Sequence, residues 1–140
     1  MIDRSAHTHW KGRLKDGEGE LSLESGAYSG PYSFQSRMAD AKGTNPEELI
    51  GAAQASCFSM ALSMVLEERR FKPESIETDV TVSLDEEMEV PEITGITVKT
   101  VASVPEIDEK AFQELADASK TRCPVSKILD VPITLEAKLK

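Results

Sequence analysis

The sequence predicts an α+β fold with a mostly antiparallel sheet and a long buried central helix, in the order βββ-α-ββ-α-β. Three observations carry this prediction. Several segments alternate apolar and polar residues, which is the period of a half-buried strand. Residues 49–66 contain no charge and are too long for a strand. The 140 residues fit one domain, which we predict to span residues 1–140.

The N-terminal third is predicted to contain three strands. They are residues 7–14, 21–25 and 33–38. A turn signal at residues 16–19 separates the first two, and residues 28–32 are expected to form a loop rich in glycine and serine. On the third predicted strand, Phe34 and Arg37 would point to opposite faces of the sheet.

A helix is predicted from Pro46 to about Arg70. Its start signature comprises a cap at Thr44 or Asn45, Pro46 at the first helical position, and Glu47 and Glu48 near the positive end of the helix dipole. The middle of the helix is apolar on nearly every face, which predicts burial all round. A domain of this size can hardly enclose such a helix alone, so we expect a dimer with the helix near the interface.

The second half predicts a hairpin, two helices and a closing strand. The strand signals lie at residues 80–84 and 96–101, with an acidic tip at residues 85–89 between them. A second helix is expected to open at Ile107 or Asp108. The segment Cys123-Pro124 indicates a further helix start, and residues 133–139 alternate as a last strand.

Charge and hydropathy limit the partners and the compartment. The net charge is −9 and the pI about 4.7, which disfavours nucleic acid and anionic membrane as partners. Residues 1–13 are polar where a secretory signal would be apolar, so we predict a cytoplasmic location. Residues 49–66 are long enough for a marginal membrane span, but Gly51, Gln54 and three serines favour a soluble helix.

Two cysteines in a reducing compartment are either inert or redox-active. Cys57 lies inside the long helix, where it is either a small buried hydrophobe or a nucleophile that needs a nearby cation. Cys123 would occupy the cap of a helix beginning at Pro124, where free N–H groups and Arg122 would favour a thiolate. The alternative is a loop cysteine without function, and spacing alone does not show that the two thiols meet.

Few other residues suggest chemistry. Arg37 is a candidate activator of a thiol, although a surface ion pair is the ordinary explanation, and Glu47 is open to the same alternative. His7 and His9 could join the cysteines at a metal, but the metal-ligand spacings Cys-x-x-Cys and His-x-x-x-His are absent. No metal or cofactor is therefore predicted, and neither a phosphate-binding loop nor a hydrolase elbow is present.

Two segments resemble the OsmC/Ohr hydroperoxide reductases. They are NPEELIGAAQASCFSMAL at residues 45–62 and CPVS at residues 123–126. HWKG at residues 9–12 and KGTNP at residues 42–46 extend the resemblance over nearly the whole chain. The position of Arg37 shortly before the helix is similar to the OsmC branch.

The resemblance implies an intertwined homodimer and a thiol-dependent peroxidase without a cofactor. It implies that Cys57 is the peroxidatic cysteine, Cys123 the resolving cysteine, and Arg37 and Glu47 an Arg–carboxylate pair at the active site. Organic hydroperoxides, with hydrogen peroxide as a further substrate, would be reduced through a Cys57 sulfenic acid and a Cys57–Cys123 disulfide, which an external dithiol reduces. A pocket lined by Phe58, Met60 or Met64 would favour bulky peroxides.

Two alternatives stay open: a structural or ligand-binding dimer with inert cysteines, and a general thiol–disulfide oxidoreductase, which the lack of Cys-x-x-Cys weakens. Helix geometry adds one inference. Along a single helix, Glu47 and Cys57 would be roughly 15 Å apart. Two antiparallel copies crossing near residues 51–53 would bring Glu47 of one chain towards Cys57 of the other, so we predict a site composed by both chains.

Overall fold

The computed structural model describes residues 1–140 and divides them into two compact units, residues 1–49 and 50–140. The first unit contains β1 (Ala6–Lys11), β2 (Glu18–Leu23), β3 (Ser29–Tyr32), α1 (Phe34–Met38) and the first turn of α2 (Pro46–Glu68). The second unit contains the rest of α2, followed by β4 (Ser75–Asp85), β5 (Glu92–Ser103), α3 (Glu109–Arg122), α4 (Pro124–Ile128) and β6 (Ile133–Leu139).

The first unit is an antiparallel sheet of strand order β1-β2-β3. The third predicted strand at residues 33–38 is wrong: β3 lies at Ser29–Tyr32, where a loop was expected, and residues 34–38 form the helix α1. A capping box explains the helix. The Ser33 hydroxyl accepts from the Ser36 N–H, and the Ser36 hydroxyl accepts from the Ser33 N–H. Arg37 therefore lies on the last turn of a short helix.

The second unit is a three-stranded sheet of order β4-β5-β6. The predicted hairpin is confirmed as the antiparallel pair β4–β5, and the closing strand β6 runs parallel to β5. Of the two predicted starts of α3, Asp108 is the cap, and its side chain accepts from the Ala111 N–H at 2.8 Å. The core is formed by apolar residues of α2, β5 and α3, among them Phe58, Leu62, Leu66, Val98 and Phe112.

Helix α2 begins at Pro46 and ends at Glu68, close to the predicted bounds. Asn45 is the cap, because its Oδ1 accepts from the Glu48 N–H at 2.8 Å. The single chain does not bury every face of the helix, in line with the expectation that one domain could hardly enclose it. One stripe of the helix is exposed, namely Ala52, Ala53, Ser56, Met60 and Met64. The helix meets the length and composition of a membrane span, a test that core helices of soluble proteins also pass.

Candidate active site

Arg37 and Glu47, which the sequence singled out separately, form an ion pair within the first unit. The Arg37 Nη2 group donates to Glu47 Oε1 at 2.5 Å, and Nε lies 3.1 Å from both carboxylate oxygens. The hydrogen bond to Glu47 raises the pKa of Arg37, against the opposing effect of burial. Glu47 is buried, whereas the Arg37 side chain is 38% exposed, so one edge of the guanidinium binds the carboxylate and the rest is accessible.

Hydrogen bonds from side chains to backbone carbonyls connect α1 with the start of α2 and fix this pair. The Ser36 hydroxyl donates to the Thr44 carbonyl at 2.8 Å, and the Asn45 amide donates to the Ser36 carbonyl at 3.2 Å. Gly43 makes the approach possible: its φ is +127°, and a Cβ there would lie 2.6 Å from the Pro31 carbonyl oxygen. These contacts fix the position of α1 relative to the start of α2, and with it the positions of Arg37 and Glu47.

A cavity of about 290 Å³ lies beside Arg37 in the first unit. Its wall is mainly apolar and aromatic, and is lined by Trp10, Leu14, Tyr32, Phe34, Arg37 and Pro46. The rings of Trp10 and Tyr32 pack with centroids 5.7 Å apart at 46°. The guanidinium therefore lies at the edge of an apolar cavity. Phe58 does not line this cavity, because it is fully buried in the core of the second unit.

Cys57 and Cys123 meet in the second unit, on α2 and at the cap of α4. Both thiols are free; Cys57 is half-buried and Cys123 is fully buried. Each thiol affects the ionisation of the other, so the two sulfurs are neighbours although the residues are far apart in sequence. The geometry answers the question of contact that their spacing left open.

The surroundings separate the pKa values of the two thiols. Burial and the hydrogen bond to Cys123 raise the pKa of Cys57. Burial opposes ionisation of Cys123 as well, but Cys57, the Ser126 hydroxyl and the N–H groups of Ser126 and Val125 together lower its pKa. Within the second unit, the surroundings therefore favour the thiolate of Cys123 and disfavour that of Cys57, which a nearby cation would stabilise.

Arg122 does not supply the positive potential that the sequence suggested for Cys123. Its guanidinium is held by the Glu68 carboxylate of α2, with Nη1–Oε2 at 2.5 Å and Nη2–Oε1 at 3.0 Å. A paired charge has little residual field at a neighbouring group. The first N–H groups of α4, which the predicted cap position also invoked, lower the pKa of Cys123 instead.

Two polar residues near the cysteines received no role from the sequence. Gln54, one turn before Cys57 on α2, is fully buried, and its Nε2 donates to Ser126 Oγ at 2.7 Å. The only available signal was an amide in the middle of an apolar helix.

His7 and His9 lie exposed on β1, and no three acidic, histidine or cysteine side chains group as a metal site.

The chain is a small α+β dithiol protein, in which a cysteine within one helix lies beside a second cysteine at the cap of another. Residues 39–138 match the family described as OsmC-like protein. The chain belongs to this OsmC-like family.

Named relatives agree with the family. The chain is 47% identical over 140 residues to the Peroxiredoxin OsmC of Escherichia coli, with 99% of this chain and 98% of the relative covered. It is 34% identical over 117 residues to the organic hydroperoxide resistance protein OhrB of Bacillus subtilis, covering 79% and 84% of the two chains.

Solved structures have the same fold. The crystal structure of Bacillus subtilis OhrB is 28% identical, with a TM-score of 0.65 over 97% of this chain and 98% of that one. An OsmC-like protein of unknown function from Vibrio cholerae gives a TM-score of 0.78 at 14% identity, covering 98% and 99% of the two chains. The second likeness concerns the fold alone.

Proposed function

We propose that this protein is a thiol-dependent peroxidase that reduces organic hydroperoxides, with Cys57 as the peroxidatic and Cys123 as the resolving cysteine. The observation that carries the assignment is the meeting of two free thiols from distant parts of the sequence. The full-length relative named as a peroxiredoxin and the relatives named for organic hydroperoxide resistance support the reaction class.

The reaction balances with these two sulfurs alone. The Cys57 thiolate attacks the terminal peroxide oxygen, the O–O bond breaks, and the alkoxide leaves and takes a proton as the alcohol. The Cys123 thiolate then attacks the resulting sulfenic sulfur, and water leaves as the disulfide forms. An external dithiol returns both cysteines to thiols by exchange and becomes a disulfide itself.

Arg37 is the cation proposed for the peroxide-reducing step. Glu47 engages its Nε and Nη2 groups, and Nη1 makes no hydrogen bond within the chain, so Nη1 can donate to a peroxide oxygen. A fixed guanidinium stabilises both a thiolate and the negative charge that develops on the leaving oxygen. The apolar cavity next to Arg37 suits the organic part of a bulky hydroperoxide.

We further propose a homodimer in which each active site combines residues of two chains. Helix α2 is continuous from Pro46 to Glu68, so Cys57 lies ten helical steps after Glu47, about 15 Å along the helix axis. The exposed stripe of α2 offers the surface for a second copy, since Met60 is 68% exposed. We expect this dimer in the cytoplasm, and the family match across both units favours a single functional domain.

The first experiment is thiol titration of the reduced protein under argon, before and after one equivalent of cumene hydroperoxide, with intact mass. We expect loss of both thiols, release of one cumyl alcohol and a decrease of about two mass units, which is the loss of two hydrogens. Unchanged thiols in folded protein would instead favour a binding dimer with inert cysteines.

The shared site is tested by mixing chains. Glu47→Ala and Cys57→Ser homodimers are each expected to be inactive or strongly impaired. In a heterodimer of the two, one of the two composite sites carries neither substitution, so activity should return to about half that of the wild type per dimer. Purified heterodimers without any recovered activity would contradict the composite site, while leaving the cysteine chemistry itself intact.

A further inference from the structure

Gln54 is buried at a place where an apolar residue would be expected. Its side chain is completely inaccessible, and only the amide nitrogen has a partner, because Oε1 is buried without a hydrogen bond. Burying an amide with half of its capacity unused costs free energy that an apolar side chain of the same shape would avoid. The single contact that Gln54 makes, to Ser126, therefore points to a role for that contact.

The hydrogen-bonding capacity of Ser126 links this contact to the cysteines. A serine hydroxyl has one donor hydrogen and two acceptor lone pairs. Because Gln54 Nε2 donates to Ser126 Oγ at 2.7 Å, one lone pair is occupied and the hydroxyl hydrogen stays available. Ser126 is the third residue after Cys123, in the first turn of α4, and its hydroxyl is among the groups that lower the pKa of Cys123.

We propose that Gln54 is a positioning residue that orients the Ser126 hydroxyl so that it donates its hydrogen to the sulfur of Cys123. This rests on the resolving role of Cys123 proposed above. A hydrogen bond donated to a thiolate stabilises it. The relay from Gln54 through Ser126 to Cys123 therefore increases the fraction of Cys123 present as the thiolate, which is the form that attacks the sulfenic acid. It also makes Cys123 a better leaving group when an external thiol attacks the Cys57 sulfur.

Within the second unit, no charged group replaces this hydrogen bond, and the Arg37 proposed to reach Cys57 from a second chain is the same in the parent and in every variant. Cys57 is the titratable group of α2 that acts on Cys123, and Arg122 on α3 is engaged by Glu68. On α4, the other contributions to Cys123 come from the backbone N–H groups of Val125 and Ser126. Removal of the Ser126 hydroxyl or of its orientation should therefore be visible in the titration of Cys123.

The titration is measured by thiolate absorbance in a Cys57→Ser background, where Cys123 is the only thiol. Ser126→Ala should raise the midpoint by about one pH unit, the equivalent of one hydrogen bond to a charged group. Gln54→Met, which keeps the length of the side chain, should raise it by less, and Ser126→Thr should restore it. Ser59→Ala, which removes a 2.8 Å hydroxyl hydrogen bond to Thr78 from the same helix, is the matched control.

A double variant separates a relay from general loosening. If Gln54 acts only through the Ser126 hydroxyl, Gln54→Met adds nothing once Ser126→Ala is present. An additive effect, or a Gln54→Met midpoint equal to the parent, would overturn the proposal. Gln54→Leu is a second replacement of the amide, for use if Gln54→Met does not fold. The Ser126→Ala and Ser126→Thr variants are expected to fold, because Ser126 is only half-buried.

Kinetics with both cysteines present distinguish this proposal from the proposed function. Ser126→Ala should slow disulfide formation about three- to tenfold at pH 7, because a tenfold smaller thiolate fraction is partly offset by a more nucleophilic thiolate. Consumption of the first thiol by cumene hydroperoxide should change much less. This slower disulfide formation should disappear at a pH above the Cys123 titration midpoints of both the wild type and the variant, where Cys123 is fully ionised in each. If the wild type consumes no thiol with hydroperoxide, the proposed function fails; if it does and the variants form the disulfide at the wild-type rate, the relay fails.

Discussion

The Glu47 carboxylate holds Arg37 through its Nε and Nη2 groups and leaves Nη1 free of intrachain hydrogen bonds. Nε and Nη2 form one edge of the planar guanidinium, so a carboxylate there fixes both position and orientation. Arg37 is therefore a directed donor as well as a cation. This relationship gives the two residues different expected losses on substitution.

Arg37→Ala should lower kcat/KM for cumene hydroperoxide by about 10²- to 10³-fold, as expected for loss of a fixed charge at a developing anion. Arg37→Lys should recover little of this, because an ammonium group cannot reproduce the fork. Glu47→Gln keeps the position but weakens the hold, so its loss should be smaller than that of Arg37→Ala. Arg13→Lys, in an exposed ion pair with Asp16, is the control and should be neutral.

The pH dependence of the first step should also depend on Arg37. Burial and the hydrogen bond to Cys123 raise the pKa of Cys57, so without a cation the reactive thiolate becomes abundant only at alkaline pH. In the Arg37→Ala variant, the midpoint of the rate of peroxide reduction should therefore move to higher pH than in the wild type. Stopped-flow measurement of thiol consumption across pH gives this midpoint. Equal midpoints in the variant and the wild type would show that Arg37 does not affect the ionisation of Cys57.

The resolving role of Cys123 predicts the fate of a variant that lacks it. In Cys123→Ser, Cys57 should still react once, but no disulfide can protect the sulfenic acid. Excess hydroperoxide should then give the sulfinic acid, a gain of about 32 mass units from two oxygens. Intact mass over time provides the measurement, with Cys57→Ser as the unreactive control. A Cys123→Ser protein that forms no sulfinic acid would argue against direct protection by Cys123.

The sequence predicted elements better than it predicted exposure or contact. Helix α2 was located because Asn45, Pro46, Glu47 and Glu48 are local signals for a helix start. Residues 33–38 were misassigned because alternation fits a strand, whereas the reciprocal Ser33–Ser36 hydrogen bonds stabilise a helix. Over a segment of only six residues, the hydrophobic pattern alone does not indicate whether the strand or the helix is more stable.

Long-range contacts account for the rest of the difference. The Gln54–Ser126 hydrogen bond joins residues 72 positions apart, so local propensity carries no information about it. The same holds for the approach of Cys57 to Cys123, which the sequence implied only through the family resemblance. The sequence predicted that one domain could not enclose α2, but it did not identify the exposed residues. Every face of that helix is apolar or small, which removes the usual contrast between inside and outside.

The exposed stripe predicts which methionine is needed for association. Met64 on α2 and Met88 at the hairpin tip are 40% and 43% exposed in the single chain. Met64→Asp should produce monomers with little peroxidase activity, since an unpaired carboxylate would be buried at the proposed interface. Met88→Asp should stay dimeric and active. Analytical ultracentrifugation compares them, and a Met64→Asp dimer of wild-type affinity would place the interface elsewhere.

Neighbouring small residues of α2 should respond in opposite ways to added bulk. Gly51 faces its own sheet, where a new Cβ would lie 3.5 Å from the Val80 carbonyl oxygen and 3.7 Å from Val82 Cγ2, which are ordinary contacts. Gly51→Ala should therefore keep the dimer and stabilise the helix by about 0.5–1 kcal/mol. Chemical denaturation at fixed protein concentration measures this gain.

Ala53, by contrast, is exposed in the single chain and belongs to the proposed helix crossing. Ala53→Leu adds bulk that a lone chain tolerates within about 0.5 kcal/mol, but that two closely crossing helices do not. We expect folded monomers with a normal far-ultraviolet spectrum and strongly reduced peroxidase activity, since each active site would lose the residues of the second chain. A fully active Ala53→Leu dimer would show that the helices do not cross at these small residues, and Glu47 of one chain would then have no route to Cys57 of the other.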